Sequence, residues 1–307
     1  MSRKSMVVAV MAAIATLILA VTAAACGTSE KPPGGEGSTS TTDASSSSTT
    51  LPEGGISHPT GAEEIVIQVS TGGGFVPVEY NYTSLPQFSL YGDGRLIVPG
   101  PTTLQYPGPA LPNLQTTTVS EETIQAMLAA AKEAGLFQNG VDYGQPGVTD
   151  VGTTTIVINA DGTTYQSDIY ALGFEDASGL TTEQQQARAA VNDLMTKLND
   201  PSVLGSEELV WEPYDFAALE VYSRAVDPAT TGSTDIEPNH LPWPLEDLST
   251  AGEEVFDGLR KVVVTGDDLE TLRPLLDQAT QITLWKSGDT EYNLWFRPLL
   301  PDEVAAL

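Results

Sequence analysis

The chain opens with an apolar run from Met6 to Ala25, interrupted only by Thr16 and Thr22, and falls to an almost wholly polar stretch from Gly27 to Thr60. Only then does it settle into short alternations of apolar and polar residues. Alternation at period two places successive side chains on opposite faces of a strand. "EIVIQV", Glu64–Val69, predicts the first strand, and "FVPVEY", after the "STGGGF" turn, predicts another. In "PQFSLYGDGRLIVPG" apolar and β-branched residues flank Gly92, Asp93 and Gly94. Such residues tolerate the positive φ of tight turns, so a hairpin is expected there. "TTTIVINADGTTYQSDIYAL" predicts a second hairpin, turning at Asp161 and Gly162.

Helical periodicity appears between these strands. Ser120 can cap a helix whose first turn carries Glu121 and Glu122 and whose apolar face is Ile124, Met127, Leu128 and Ala131; Gly135 ends it and Leu136 packs back. "TEQQQARAAVNDLMTKLND" carries Ala187, Ala190, Val191, Leu194 and Leu198 on one stripe and stops before Pro201. The later half repeats the earlier in outline. "LRKVVVTGDDLETLRPLLDQA" followed by "TQITLWKSGDTEYNLWFRPLL" reads strand, acidic cap, helix, hairpin, with Leu269 and Leu272 falling opposite Ile124 and Met127 and Pro274 interrupting the second helix. The expected class is α+β: a mostly antiparallel sheet with a few helices. Either two related strand–helix–hairpin halves, 62–200 and 201–307, or one continuous domain fits the pattern.

At the N-terminus, Arg3 and Lys4, the apolar run and the small residues Ala23 and Ala25 follow the order of an export signal, 1–25. About 20 apolar residues also suffice to span a bilayer, so a retained anchor and plain cleavage after Ala25 compete with any further reading. Cys26, the sole cysteine, follows at once and is followed by Gly27. This junction resembles the lipobox of bacterial lipoproteins, with Ala23 where such motifs favour leucine. The resemblance implies a diacylglyceryl group on the Cys26 thiol and anchorage on the outer face of the cell membrane. One cysteine makes no internal disulfide, and with only His58 and His240 as histidines it has few partners for a metal site. The stretches "STGGGFVPVEY" and "FSLYGDGRLIVPGP" resemble uncharacterised lipoproteins of high-GC Gram-positive bacteria, a likeness that implies no activity.

Charge narrows the partners. The chain has 13 basic and 41 acidic residues, a net −28. Loss of Arg3 and Lys4 with the signal would make it about −30, and such a surface repels nucleic acid and anionic lipid. Residues 26–61 read as a lipidated cysteine and a disordered Gly/Ser/Thr/Pro linker. Its typical reach is roughly 30 Å and its extended limit near 110 Å.

Candidate chemistry is sparse. "STGGGF" lacks the Lys-Ser/Thr of a phosphate loop, and the Asp/Gly turns at Asp93, Asp161 and Asp289 lack the alternating acids of a calcium loop, so no metal or cofactor is expected. His240 in "EPNHLPWPLED" has no recognisable catalytic partner. The C-terminal hairpin is more informative, because both of its faces carry large apolar groups: Trp285, Tyr292 and Trp295 are packed core or a platform for sugars or peptides. The reading that results is a membrane-anchored, non-catalytic envelope module binding a cell-wall glycan, a peptide or an envelope protein. The alternative is a secreted hydrolase with a carboxylate-based site.

Overall fold

A computed structural model describes residues 54–174, 178–227 and 236–307; the signal segment, Cys26 and the linker through residue 53 lie outside the described residues. The described part is α+β, two mostly antiparallel sheets with helices. The first sheet contains β1 (Ile65–Gly72), β2 (Phe88–Tyr91), β3 (Arg95–Pro99), β4 (Leu114–Thr118), β5 (Thr153–Ala160), β6 (Thr163–Tyr170) and the two-residue β7 (Glu212–Pro213), in the order β6-β5-β1-β2-β3-β4-β7. The second contains β8 (Ala218–Ala225), β9 (His240–Pro242), β10 (Glu253–Phe256), β11 (Leu259–Thr265), β12 (Leu284–Ser287) and β13 (Thr290–Pro298), in the order β10-β11-β8-β13-β12-β9. Among the described residues only the β9–β12 pair is parallel.

Both predicted hairpins form. β2 and β3 turn through Gly94 at φ 85°, and β5 and β6 turn through Asp161 at φ 51° and Gly162 at φ 69°, the doubly left-handed pair that matches strand twist. One predicted strand does not form. Within "FVPVEY", Val78 onward is a short helix, α1 (Val78–Thr83), seated after Pro77. Its β-prone residues are overridden by packing: Tyr82 lies 5.7 Å from the Tyr222 ring and donates to the Val255 carbonyl at 2.9 Å, while Glu79 is buried in an ion pair with Arg224.

On the first sheet, α2 (Glu121–Glu133) and α3 (Thr182–Asn199) cover one face. The α2 stripe Ile124, Met127, Leu128 and Ala131 is buried, as its period demands, and Leu136 returns onto the last turn with its amide donating to the Ala131 carbonyl. A capping box between Thr181 and Gln184 starts α3. Arg188, on the same helix, is buried and donates to the Tyr143, Tyr170 and Ala171 carbonyls, holding the turn after β6. The chain is also packed earlier than its composition suggests. Ile56 rests against this core, and Ser57 bonds to the Asp161 carboxylate across the β5–β6 turn.

The N-terminus of α2 is held from afar as well as by its Ser120 cap. Glu207 accepts from the Ser120 amide at 3.0 Å, the Ser120 hydroxyl at 2.9 Å and the Thr123 hydroxyl at 2.6 Å. These bonds, the Thr123 hydroxyl foremost, hold the carboxyl below its usual range. A depressed folded pKa adds stability above the unfolded pKa, and that stability is lost as pH falls through the folded one. Glu207→Gln is therefore expected to lower stability at neutral pH by less than about 1 kcal/mol, since solvent screens this exposed carboxylate, with the difference closing in acid. Paired urea titrations at the two pH values check this.

In the second sheet, α4 (Gly266–Leu276) packs Leu269, Leu272 and Leu276 against β8, β12 and β13. Leu269 and Leu272 are buried like their counterparts Ile124 and Met127. The order strand, helix, hairpin thus recurs, but the sheets use it differently. In the first, the leading hairpin strand β5 pairs with central β1; in the second, the trailing strand β13 pairs with central β8. A third cluster, Tyr91, Ile97, Leu114 and Leu300, joins the C-terminal segment to the first sheet.

Candidate functional site

Trp285 and Trp295 lie on opposite faces of the same hairpin. Trp285 is in register with Tyr292, which sets both on the face of Leu294 and Phe296 toward α4. Trp285 is 1% exposed and meets Trp243 and Phe296 edge-on at 6.0 and 5.6 Å; Tyr292 is buried beside them. The register therefore makes Trp285 and Tyr292 core residues and leaves Trp295 alone on the outer face, where it is half-buried beside Arg297.

Two structures flank Trp295. The first is α1, laid over the second sheet by Glu79 and Tyr82 and pinned at its end where Arg297 donates to the Ser84 carbonyl at 3.2 Å. With 79 and 82 turned inward, Tyr80 and Thr83 share the flank toward Trp295. The second is the segment 100–113, which leaves the first sheet after β3, reaches the second, and returns to β4. At its base the Gly100 amide donates to the Asn113 carbonyl, and the Asn113 side chain donates to the Pro101 carbonyl, both at 2.8 Å. A Cβ on Gly100 would stand 2.6 Å from that Asn113 nitrogen, so a larger residue there would displace the Asn113 side chain. At its far end Pro109 bridges Thr280, the Ala110 amide donates to the Ala279 carbonyl, and the Gln281 amide donates to the Gly108 carbonyl.

Between helix and strap lies a groove of about 790 Å³ with Trp295 in its wall. Compared with known proteins, the chain matches no family model, no curated protein and no solved structure. The groove's polar side chains are the Thr83, Thr102 and Thr103 hydroxyls and the Gln105, Asn113 and Gln281 amides, with Tyr80 half-exposed beside them. None of its lining residues is Asp, Glu, Lys, Arg or His, although charged residues make up 18% of the chain.

The charged groups nearby are committed to one another. Arg297 joins Glu220 at 3.5 Å and pairs with Glu303; Tyr222 donates to Glu220 at 2.8 Å, and Lys261 stands 3.7 Å from the same carboxylate. Burial, then the Glu220 bond, pushes the Tyr222 phenol above its usual range. On the first sheet, Tyr91 donates to Asp302 at 2.5 Å, tying in α5 (Pro301–Val304). These groups link the two sheets through the C-terminus and do not line the groove.

His240 lies exposed on β9, with its Nδ1 2.8 Å from Glu291. The "STGGGF" loop holds Gly73 and Gly74 at positive φ, and its Phe75 amide donates to the Asp150 carbonyl. Asp161 is used by Ser57, and Asp93 accepts from the Arg95 amide at 3.0 Å, as hairpin residues do. Among the described residues no three His, Cys, Asp or Glu side chains gather as a metal-holding group. What sequence reading missed is the strap. Its signal was there, since "GPTTLQYPGPALPN" is an uncharged loop of a length that is usually functional when it lacks regular structure.

Proposed function

We propose that the chain is a lipoprotein of the outer face of the cell membrane, anchored through Cys26 and tethered by its linker, whose folded part binds a ligand non-catalytically in the groove beside Trp295. The observation that carries the binding reading is the groove itself. It combines a partly exposed indole with hydroxyl and amide side chains and holds no ionisable group other than the Tyr80 phenol to move a proton at neutral pH. The anchor rests on the Ala25–Cys26–Gly27 junction. The carboxylate-based hydrolase would require two carboxylates facing across a cleft, and Glu220 and Glu303 instead share Arg297.

Two measurements test this reading. Mass spectrometry of the mature N-terminus is expected to find a lipid on Cys26, and Cys26→Ala is expected to lose membrane association; an unmodified chain starting there would mean plain secretion. Purified protein is expected to be retained by isolated cell-wall fractions and Trp295→Ala to lose that retention. No retention, or retention indifferent to Trp295, would remove the groove from the function.

A further inference from the structure

We infer that the ligand of the groove is a neutral oligosaccharide, stacked by a sugar ring on Trp295 and held at its hydroxyls by the threonine and amide side chains of the strap. The inference rests on the proposed binding role and adds the ligand's chemistry. Three observations point to it.

The first is charge. The chain carries a net −28, yet the groove is uncharged. A cationic ligand would find no carboxylate there to pair with, and an anionic one would approach against the field of the whole protein with no Lys or Arg to receive it. Neutrality in the ligand is what remains favourable.

The second is Trp295 itself. Among the described residues Trp243 and Trp285 have aromatic neighbours, and Trp243 also donates its indole N–H to the Glu246 carbonyl. Trp295 makes no such ring contact and no such bond. A partly buried indole with no ring partner and an unbonded N–H at the groove wall suits a pyranose, which presents a C–H face for the ring and hydroxyls for the N–H.

The third separates sugar from peptide. Extended peptides are bound chiefly through main-chain pairing with an unused backbone edge. The strap offers no strand edge: residues 101–108 are irregular and bent, Pro101, Pro109 and Pro112 lack amide donors, and the amides of Gly108, Ala110 and Gln281 are spent closing it. Beside that irregular backbone it presents side-chain donors and acceptors. The Thr102 and Thr103 hydroxyls and the Gln105 amide make no bond within the described residues. Such groups match the hydroxyl pattern of a saccharide.

The test uses the full chain purified in a detergent that contains no sugar. Isothermal titration is run against neutral gluco-, manno- and galacto-oligosaccharides of four to six units, an acidic oligosaccharide and a neutral proline-rich peptide. At least one neutral oligosaccharide is expected to bind, with a Kd that changes less than about twofold between low and high salt. Trp295→Ala is expected to weaken it about tenfold or more while Trp295→Phe retains most of the affinity. Thermal melts of both variants establish that they are folded. Retention on wall fractions that depends on Trp295, without binding of any neutral oligosaccharide, would overturn the ligand class while leaving the binding role in place. Preference for the acidic sugar or the peptide would overturn it equally, and loss of Trp295-dependent retention would overturn both.

Discussion

Trp285→Ala is expected to lower the unfolding free energy by about 3–5 kcal/mol, and Trp295→Ala by about 1 kcal/mol or less. The two residues are ten positions apart on one hairpin, and chemistry alone does not distinguish them. Trp285 is 1% exposed, wedged edge-on between Trp243 and Phe296 with Leu276, Leu248 and Leu294 in the same cluster. Truncating it removes the transfer energy of an indole and leaves a cavity that rigid β12 and β13 cannot collapse to fill. Trp295 faces the groove, where water replaces the lost ring. Melting temperatures should separate accordingly, by about 10 °C for Trp285→Ala and only slightly for Trp295→Ala. Circular dichroism melts and urea midpoints of both variants measure the difference. Equal costs would mean that both rings are core, and the groove would lose its aromatic wall.

Local chemistry made much of the fold readable. The β5–β6 turn follows from Asp161–Gly162, the extent of α2 from Ser120, its apolar stripe and Gly135, and the α3 stripe from its period. The failures are equally physical. "VPVEY" has β-prone composition, but Glu79 needed Arg224 and Tyr82 needed Tyr222, partners more than a hundred residues away that no local pattern displays. β8, the central strand of the second sheet, is a near-continuous apolar run in "ALEVYS", covered on both faces, and so lacks the alternation that marks half-buried strands. At the site, alternation within each strand suggested Trp285 and Trp295 together as one platform; the β12–β13 register separates them onto opposite faces, and which face is open depends on where α1 and the strap settle. Whether an aromatic is core or platform is decided by tertiary cover, and that information is non-local.

Replacing Arg297 by Met is expected to cost about 3–5 kcal/mol at neutral pH and much less in acid. Its side chain is 11% exposed and faces Glu220 and Glu303, themselves 15% and 29% exposed, while its Nε holds the end of α1 at the Ser84 carbonyl. Without the guanidinium, two partly buried carboxylates confront each other across the space it filled. Burial and mutual repulsion would then penalise the charged pair, so the cost is largest at neutral pH and smaller in acid. Arg297→Lys should recover only part of the loss, because an ammonium cannot span Glu220, Glu303 and Ser84 at once. Asp302, next in this network, already sits in the raised condition: burial lifts its carboxyl, the neighbouring Glu303 charge adds to the lift, and the Tyr91 hydroxyl and Arg297 oppose it. A raised folded pKa gives stability that is full below the unfolded pKa and lost as pH rises through the folded one. Asp302→Asn keeps an acceptor for Tyr91 and removes the charge, so it is expected to raise the urea midpoint at neutral pH while changing it little near pH 4. Opposite slopes of stability against pH in these two variants, measured on the same chain, would locate both effects in the buried network that fastens α5 and the second sheet to the first. Parallel slopes would mean that Arg297 and Asp302 act through exposed charge alone.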